Sequence, residues 1–247
     1  FPRRSLTLVD FKGQARQSSM APYHIRKYQE SDRTQVLDLF FHALDEYGSA
    51  SFRHILKLPR TLVLLLGVSL GLLLVSGSWL LALIASPTLL IALGFLCRYP
   101  WTKFTAEALR TDMSNITKSY LSEPGSCFWV AEAEGQVVGI VGALPVKERS
   151  LHKEQLELLH LCVALDHRGQ GIAKALIRTV LQFARNQGYS HVVLTTSMLQ
   201  HSALALYQRM GFQKLHQFSP LCWRLLAVPL VTFVYCLPSA QASWEHE

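Results

Sequence analysis

The chain has 247 residues, half of them hydrophobic, and a formal net charge of +7 at neutral pH. That length suits one domain with an addition, and the basic excess is scattered rather than blocked, without interleaved aromatics, which argues against nucleic acid as a partner. Cys97, Cys127, Cys162, Cys222 and Cys236 follow no regular spacing, and the ten histidines form no His-Glu-x-x-His pattern, so no disulfide framework or metal site is expected and a reducing compartment is.

Residues 1–19 are polar and lack the apolar region of a signal peptide. They read as a disordered leader or upstream sequence, with Met20-Ala21-Pro22 as a start. Residues 23–26 alternate as a short strand. Ser31 and Asp32 are placed to cap a helix with apolar positions Val36, Leu37, Phe40, Phe41 and Leu44.

No charged residue occurs from Thr61 to Cys97. One helix of that length would extend roughly 55 Å at ~1.5 Å per residue, against a hydrocarbon core of about 30 Å. Ser76-Gly77-Ser78 and Ser86-Pro87 interrupt the run, so two membrane arms turning near Gly77 are expected. Arg53, Lys57 and Arg60 border it on one side and Arg98, Lys103 and Arg110 on the other. Positive borders on both sides put both ends in the cytosol and suit an anionic membrane surface. A single tilted span with a lumenal C-terminal half is the alternative. Residues 100–120 return to an amphipathic helix, with Tyr99 and Trp101 as interfacial anchors.

Residues 127–132 and 136–144 flank Ala133-Glu134-Gly135 as a β-hairpin, and 145–153 form a polar loop. Residues 156–163 are an apolar run of strand length carrying Glu157 and His160. A glycine-containing turn follows, then a helix with Ile172, Leu176, Val180, Phe183 and Ala184 on one face and Gly188 at its stop. Strand, glycine turn and helix together aim backbone N–H groups and a helix dipole at one spot, an anion site. Gly169 and Gly171 let the backbone approach a phosphate, and Arg168 adds positive charge. Residues 191–196 read as the next strand, a helix carries Tyr207, and strands lie near 213–218 and 223–235.

Arg168-Gly169-Gln170-Gly171-Ile172-Ala173 resembles the Arg/Gln-x-x-Gly-x-Gly/Ala signature of the GNAT superfamily of N-acetyltransferases, which binds the acetyl-CoA pyrophosphate. The stretch 203–212, Ala-Leu-Ala-Leu-Tyr-Gln-Arg-Met-Gly-Phe, resembles the second signature of that superfamily. The strand and helix at residues 23–41, the hydrophobic insertion entered through Leu58-Pro59-Arg60-Thr61, residues 111–116 and residues 237–242 look like the membrane-bound camello-like family. That family includes the cysteine-S-conjugate N-acetyltransferase.

The resemblance implies an α/β fold, a GNAT-type mixed β-sheet flanked by helices with an inserted transmembrane hairpin. It divides the chain into a leader 1–19, a first strand and helix 20–60, the insertion 61–97, the rest of the acetyltransferase domain 98–242, and a tail 243–247. It further implies acetyl-CoA as co-substrate without a metal, a small-molecule amine as acceptor, the lipid bilayer as partner, and an endoplasmic reticulum or nearby membrane. A homo-oligomer is left open.

Residue by residue, it implies that the backbone N–H groups of Cys162 and Val163 orient the acetyl carbonyl and pantetheine arm, and that residues 168–173 hold the pyrophosphate. It also implies Tyr207 as the general acid to the CoA sulfur. Gln200 stands where the superfamily has asparagine. Glu157 and His160 are both candidates for the base. Strand alternation puts these two on opposite faces unless a bulge intervenes. Three functions stay open: acetylation of cysteine S-conjugates or related small amino acids, of protein lysines in the endoplasmic reticulum, or a weakly catalytic role in cell adhesion and gastrulation.

Overall fold

The computed structural model describes residues 23–146, 154–219 and 228–238. The leader, the Met20 start, most of the 145–153 loop, Cys222, the first part of the 223–235 strand and nearly all of the 237–242 stretch and tail lie outside them.

Among the described residues seven strands form one sheet: β1 (His24–Lys27), β2 (Cys127–Ala133), β3 (Gln136–Pro145), β4 (Gln155–Val163), β5 (His191–Ser197), β6 (Gln213–Phe218) and β7 (Leu230–Cys236). Their order is β1-β2-β3-β4-β5-β7-β6. Every neighbouring pair is antiparallel except β4 and β5, which run parallel. The helices are α1 (Arg33–Leu56), α2 (Pro59–Ser76), α3 (Trp79–Arg110), α4 (Ile172–Asn186) and α5 (His201–Arg209). This is the mixed sheet with flanking helices that the resemblance implied.

Local chemistry explains most of the element boundaries. The β2–β3 hairpin turns through Glu134 and Gly135, both at positive φ (52° and 78°), the backbone that right-twisted strands require of a two-residue loop. The amphipathic α4 buries Ile172, Leu176, Val180 and Ala184 against Leu156 and Leu158 of β4. Each large aliphatic so buried contributes about 1.5–3 kcal/mol. On the opposite face, Phe40 of α1 joins Met113, Ile116, Tyr120, Phe128 and Ile140.

Asp32 does precede α1, but its side chain does not cap the helix. It accepts two hydrogen bonds from the Arg26 guanidinium (2.6 and 2.8 Å) and one from the Gln29 N–H (2.9 Å). A charged fork is a stronger donor than the free N–H groups of a helix end.

The uncharged run folds as an antiparallel pair of helices. Gly77 at φ +65° ends α2, and α3 starts two residues later. The Ser69 and Ser86 hydroxyls meet at 2.8 Å between the arms. Leu66, Leu74, Val75 and Phe95 are among the side chains that both helices leave exposed. Length and composition make α2 and α3 candidate membrane spans.

Residues 100–120 are not a separate helix. The helix α3 runs unbroken through Pro100 to Arg110, and a short π-helical turn (Thr117–Leu121) follows. Nor is Trp101 an interfacial anchor. Its ring is buried beside Tyr47, and its Nε1–H donates to the Ser51 hydroxyl of α1 at 2.9 Å. A continuous α3 can lay this last part of its length against α1 and bury that indole. Tyr99 is exposed.

Candidate active site

The strands β4 and β5 pair only over Gln155–Glu157 with His191–Val193. Beyond that they part, and a cavity of about 530 Å3 opens between Glu157–Cys162 of one and Leu194–Ser197 of the other. The helices α1, α3 and α5 close it with Phe40, Leu44, Trp101, Phe104 and Tyr207.

A bulge in β4 arranges the chemistry. Against β3, Gly142 pairs with Leu159 and Ile140 with Cys162, so His160 and Leu161 together oppose Val141. His160 takes φ +54°, a left-handed conformation that costs a non-glycine residue roughly 1–2 kcal/mol. Leu156 and Leu158 face α4, and Glu157 faces the other side. The extra residue brings His160 back to that same side, where its ring meets Phe40 edge-on at 5.1 Å. The condition for both candidate bases to share one face is therefore met.

The His160 side chain is buried, with Nε2 2.6 Å from Asp112 Oδ2. Burial alone would raise the Asp112 carboxyl, but hydrogen bonds from His160, Tyr120 and Thr111 outweigh it and hold the group well below the usual carboxylate range. The Tyr120 hydroxyl donates to the same Oδ2, and the Thr111 hydroxyl donates to Oδ1 at 2.9 Å. With Asp112 ionised, Nε2 is the ring nitrogen that donates to it, and Nδ1 is left to face the other way. Nδ1 is buried and has no hydrogen-bond partner among the described residues. Asp112 was not recognised as a site residue in the sequence. The one signal for it was its place in the 111–116 stretch.

Tyr207 is buried among Phe212 and Phe233, and burial pushes its hydroxyl well above the usual phenol range. It stays a proton donor at neutral pH. Gln200 lines the cavity and accepts from the Thr196 hydroxyl at 3.0 Å. Burial pushes the Cys162 thiol up to about 12, with Arg168 opposing, so this thiol is no nucleophile.

The two proposed backbone donors are not equivalent. Ala164 N–H donates to Val138 O at 2.9 Å, which places the Cys162–Ile140 pair in the hydrogen-bonding register. The Cys162 N–H is thus spent on β3, and Val163, one residue on, turns its N–H toward the gap.

The glycine turn also departs from the simplest expectation. Gly169 (φ +79°) and Gly171 (φ +84°) need glycine for their backbone angles, since a Cβ at Gly169 would meet nothing within 4 Å. The cradle is open. The helix α4 begins there without a side-chain cap or an acidic residue in its first turn, leaving N–H groups for an anion. Its surroundings fit a diphosphate. Arg168 is not a free charge: its Nη1 and Nη2 lie 2.9 and 2.7 Å from the Glu46 carboxylate of α1, and its Nε donates to Val163 O at 3.1 Å. The Ile172 side chain is buried, Gln170 is exposed, and Ala173 is half-buried.

Parted parallel strands, a bulged central strand and an uncapped glycine turn define a GNAT-type acyltransferase. The sequence agrees, since residues 94–212 match the Acetyltransferase (GNAT) family. Human N-acetyltransferase 8B is 63% identical over 90% of this chain and 99% of its own, human N-acetyltransferase 8 is 60% identical over 90% and 98%, and mouse N-acetyltransferase family 8 member 3 is 56% identical over 90% and 99%. An acetyltransferase from Streptococcus agalactiae superposes with a TM-score of 0.55 over 88% of this chain and all of that one, at 14% identity, a likeness of fold. The chain belongs to the N-acetyltransferase 8 family of the GNAT superfamily and is an acetyltransferase. Acetyl-CoA is the acyl donor of that superfamily.

Proposed function

We propose that the chain acetylates the amino group of cysteine S-conjugates or related small apolar amino acids at the cytosolic face of an endoplasmic reticulum membrane. The observation that carries this reading is the convergence of Glu157, His160 and Tyr207 on one apolar cavity beside an exposed apolar helical pair. Bound acetyl-CoA supplies a thioester, and transfer forms the N–C bond to the amine and breaks the C–S bond.

The residues of the chain do the rest. The Val163 N–H and the start of α4 hold the donor in place. His160 Nδ1 takes the proton that the amine loses, and Asp112 holds the ring and stabilises its charge. Glu157, on the same face, is the second proton acceptor. Tyr207 returns a proton to the departing sulfur. Phe40, Leu44 and Phe104 receive the apolar substituent, and Lys103 on the same wall faces the carboxylate that an amino-acid acceptor carries and a protein lysine lacks.

The antiparallel arms and the basic borders support a membrane hairpin with both ends cytosolic. Microsomes bearing the full chain should transfer labelled acetyl to S-benzylcysteine. Turnover of protein lysines without turnover of that conjugate would replace this reading with the lysine one.

A further inference from the structure

Where α1 leaves the enzyme domain and α3 returns to it, the two helices border an open groove of about 520 Å3. The helix α1 contributes Ser49, Phe52 and Arg53, and α3 contributes Ile91, Phe95 and Arg98, with Gly94 between. These spacings of three, four and seven put each set on one helix face. The contact is close: a Cβ on Gly94 would lie 3.9 Å from the Phe52 ring, and one on Gly48 would lie 3.3 Å from the Arg98 stem.

The groove is graded along its length. At one end Ile91 and Phe95 are 63% and 73% exposed, a poor arrangement in water. At the other stands Arg98, beside Gly48 of α1, while Arg53 follows Phe52, the residue that faces Gly94. Arg98 follows directly on the uncharged run, and the rise from Ile91 to Arg98 is about 10 Å at ~1.5 Å per residue. The nearby acids engage both arginines only weakly: the Arg53 charge acts on Glu46 without a hydrogen bond among the described residues. Asp45 reaches Arg98 only at 3.7 Å on an exposed surface, and Glu46 is committed to Arg168.

We infer that this groove holds one anionic phospholipid. Its phosphate sits between Arg53 and Arg98 with the Ser49 hydroxyl as a further donor, and an acyl chain lies along Phe95 and Ile91. The two positive charges match the headgroup, and the apolar wall runs on into helices long enough to cross the bilayer. A free phosphate would leave that wall uncovered. The inference rests on the membrane reading of α2 and α3.

The test uses the full chain reconstituted into phosphatidylcholine vesicles containing phosphatidylserine as a minor component. Flotation reports insertion, and native mass spectrometry after mild extraction reports retained phosphatidylserine. The wild type should float and keep one phosphatidylserine. The Arg53→Gln/Arg98→Gln variant should float equally and lose retention by about fivefold per arginine, since a basic residue near an anionic surface contributes about 1 kcal/mol. Arg110→Gln, at the far end of α3, should retain the lipid. Equal retention by the double variant, equal loss in Arg110→Gln, or complete displacement by inorganic phosphate would each overturn the site. Failure of the wild type to float would instead remove the membrane reading, and the site with it.

Discussion

His160 and Asp112, 48 residues apart, meet at 2.6 Å because a bulge turns the histidine out of strand alternation and toward the turn that follows α3. That contact supplies the orienting group a histidine base needs.

His160→Asn is the informative variant, because asparagine tolerates the positive φ of this position. The expected outcome is a fall in kcat of about 10²-fold or more. Asp112→Asn should lower kcat by about tenfold or more. An unchanged kcat in His160→Asn, with a collapsed one in Glu157→Gln, would assign the base to Glu157.

Asp112 also links stability to pH. Its folded pKa lies below the unfolded value of about 3.9, so its contribution is fully present above that value. It is lost as pH falls through the folded value. The gap in denaturant midpoint between wild type and Asp112→Asn should therefore hold at neutral pH and narrow below about pH 4.

Tyr207→Phe keeps the ring contacts with Phe212 and Phe233 and removes the hydroxyl. Its kcat should drop about tenfold to a hundredfold while KM stays near wild type. A substrate with a better leaving thiol should restore much of the loss.

Lys103→Met separates the acceptor classes. KM for S-benzylcysteine should rise several-fold, by about 1 kcal/mol of lost charge pairing. An acceptor amine without a carboxylate should be unaffected. Equal effects on both would place Lys103 outside acceptor binding.

Gly142→Ala tests the packing behind the site. A Cβ there would stand 2.7 Å from the Tyr120 ring, and Tyr120 is one of the residues that hydrogen-bond Asp112. Thermal unfolding should show a loss of about 1–3 kcal/mol, accompanied by lower activity at temperatures where the variant is still folded.

Topology gives the last outcome. Asn115-Ile116-Thr117 is a glycosylation sequon on the loop after α3, with the Asn115 Oδ1 accepting the Lys118 N–H at 2.8 Å. In sealed microsomes Asn115 should stay unmodified and the C-terminal domain should be cleaved by added protease. Protection of that domain would overturn the hairpin and the preference for small molecules.

The local signals were legible in the residues themselves. The apolar stripe of α4, the positive-φ glycines, the Glu134-Gly135 turn and the break at Gly77 each depend on neighbours within one helical turn or one strand, so periodicity and glycine placement determined them. Tertiary structure alone decided the rest. Whether Glu157 and His160 share a face depended on one inserted residue, since a single-residue slip reverses every side chain of a strand. Arg168 looks like a free cation until α1, 122 residues away, brings Glu46 to it, and Trp101 looks interfacial until α3 lies against α1. Asp112 meets His160 only when the chain beyond α3 folds over β4, because a hydrogen bond between residues 48 apart in sequence depends on packing and not on local pattern.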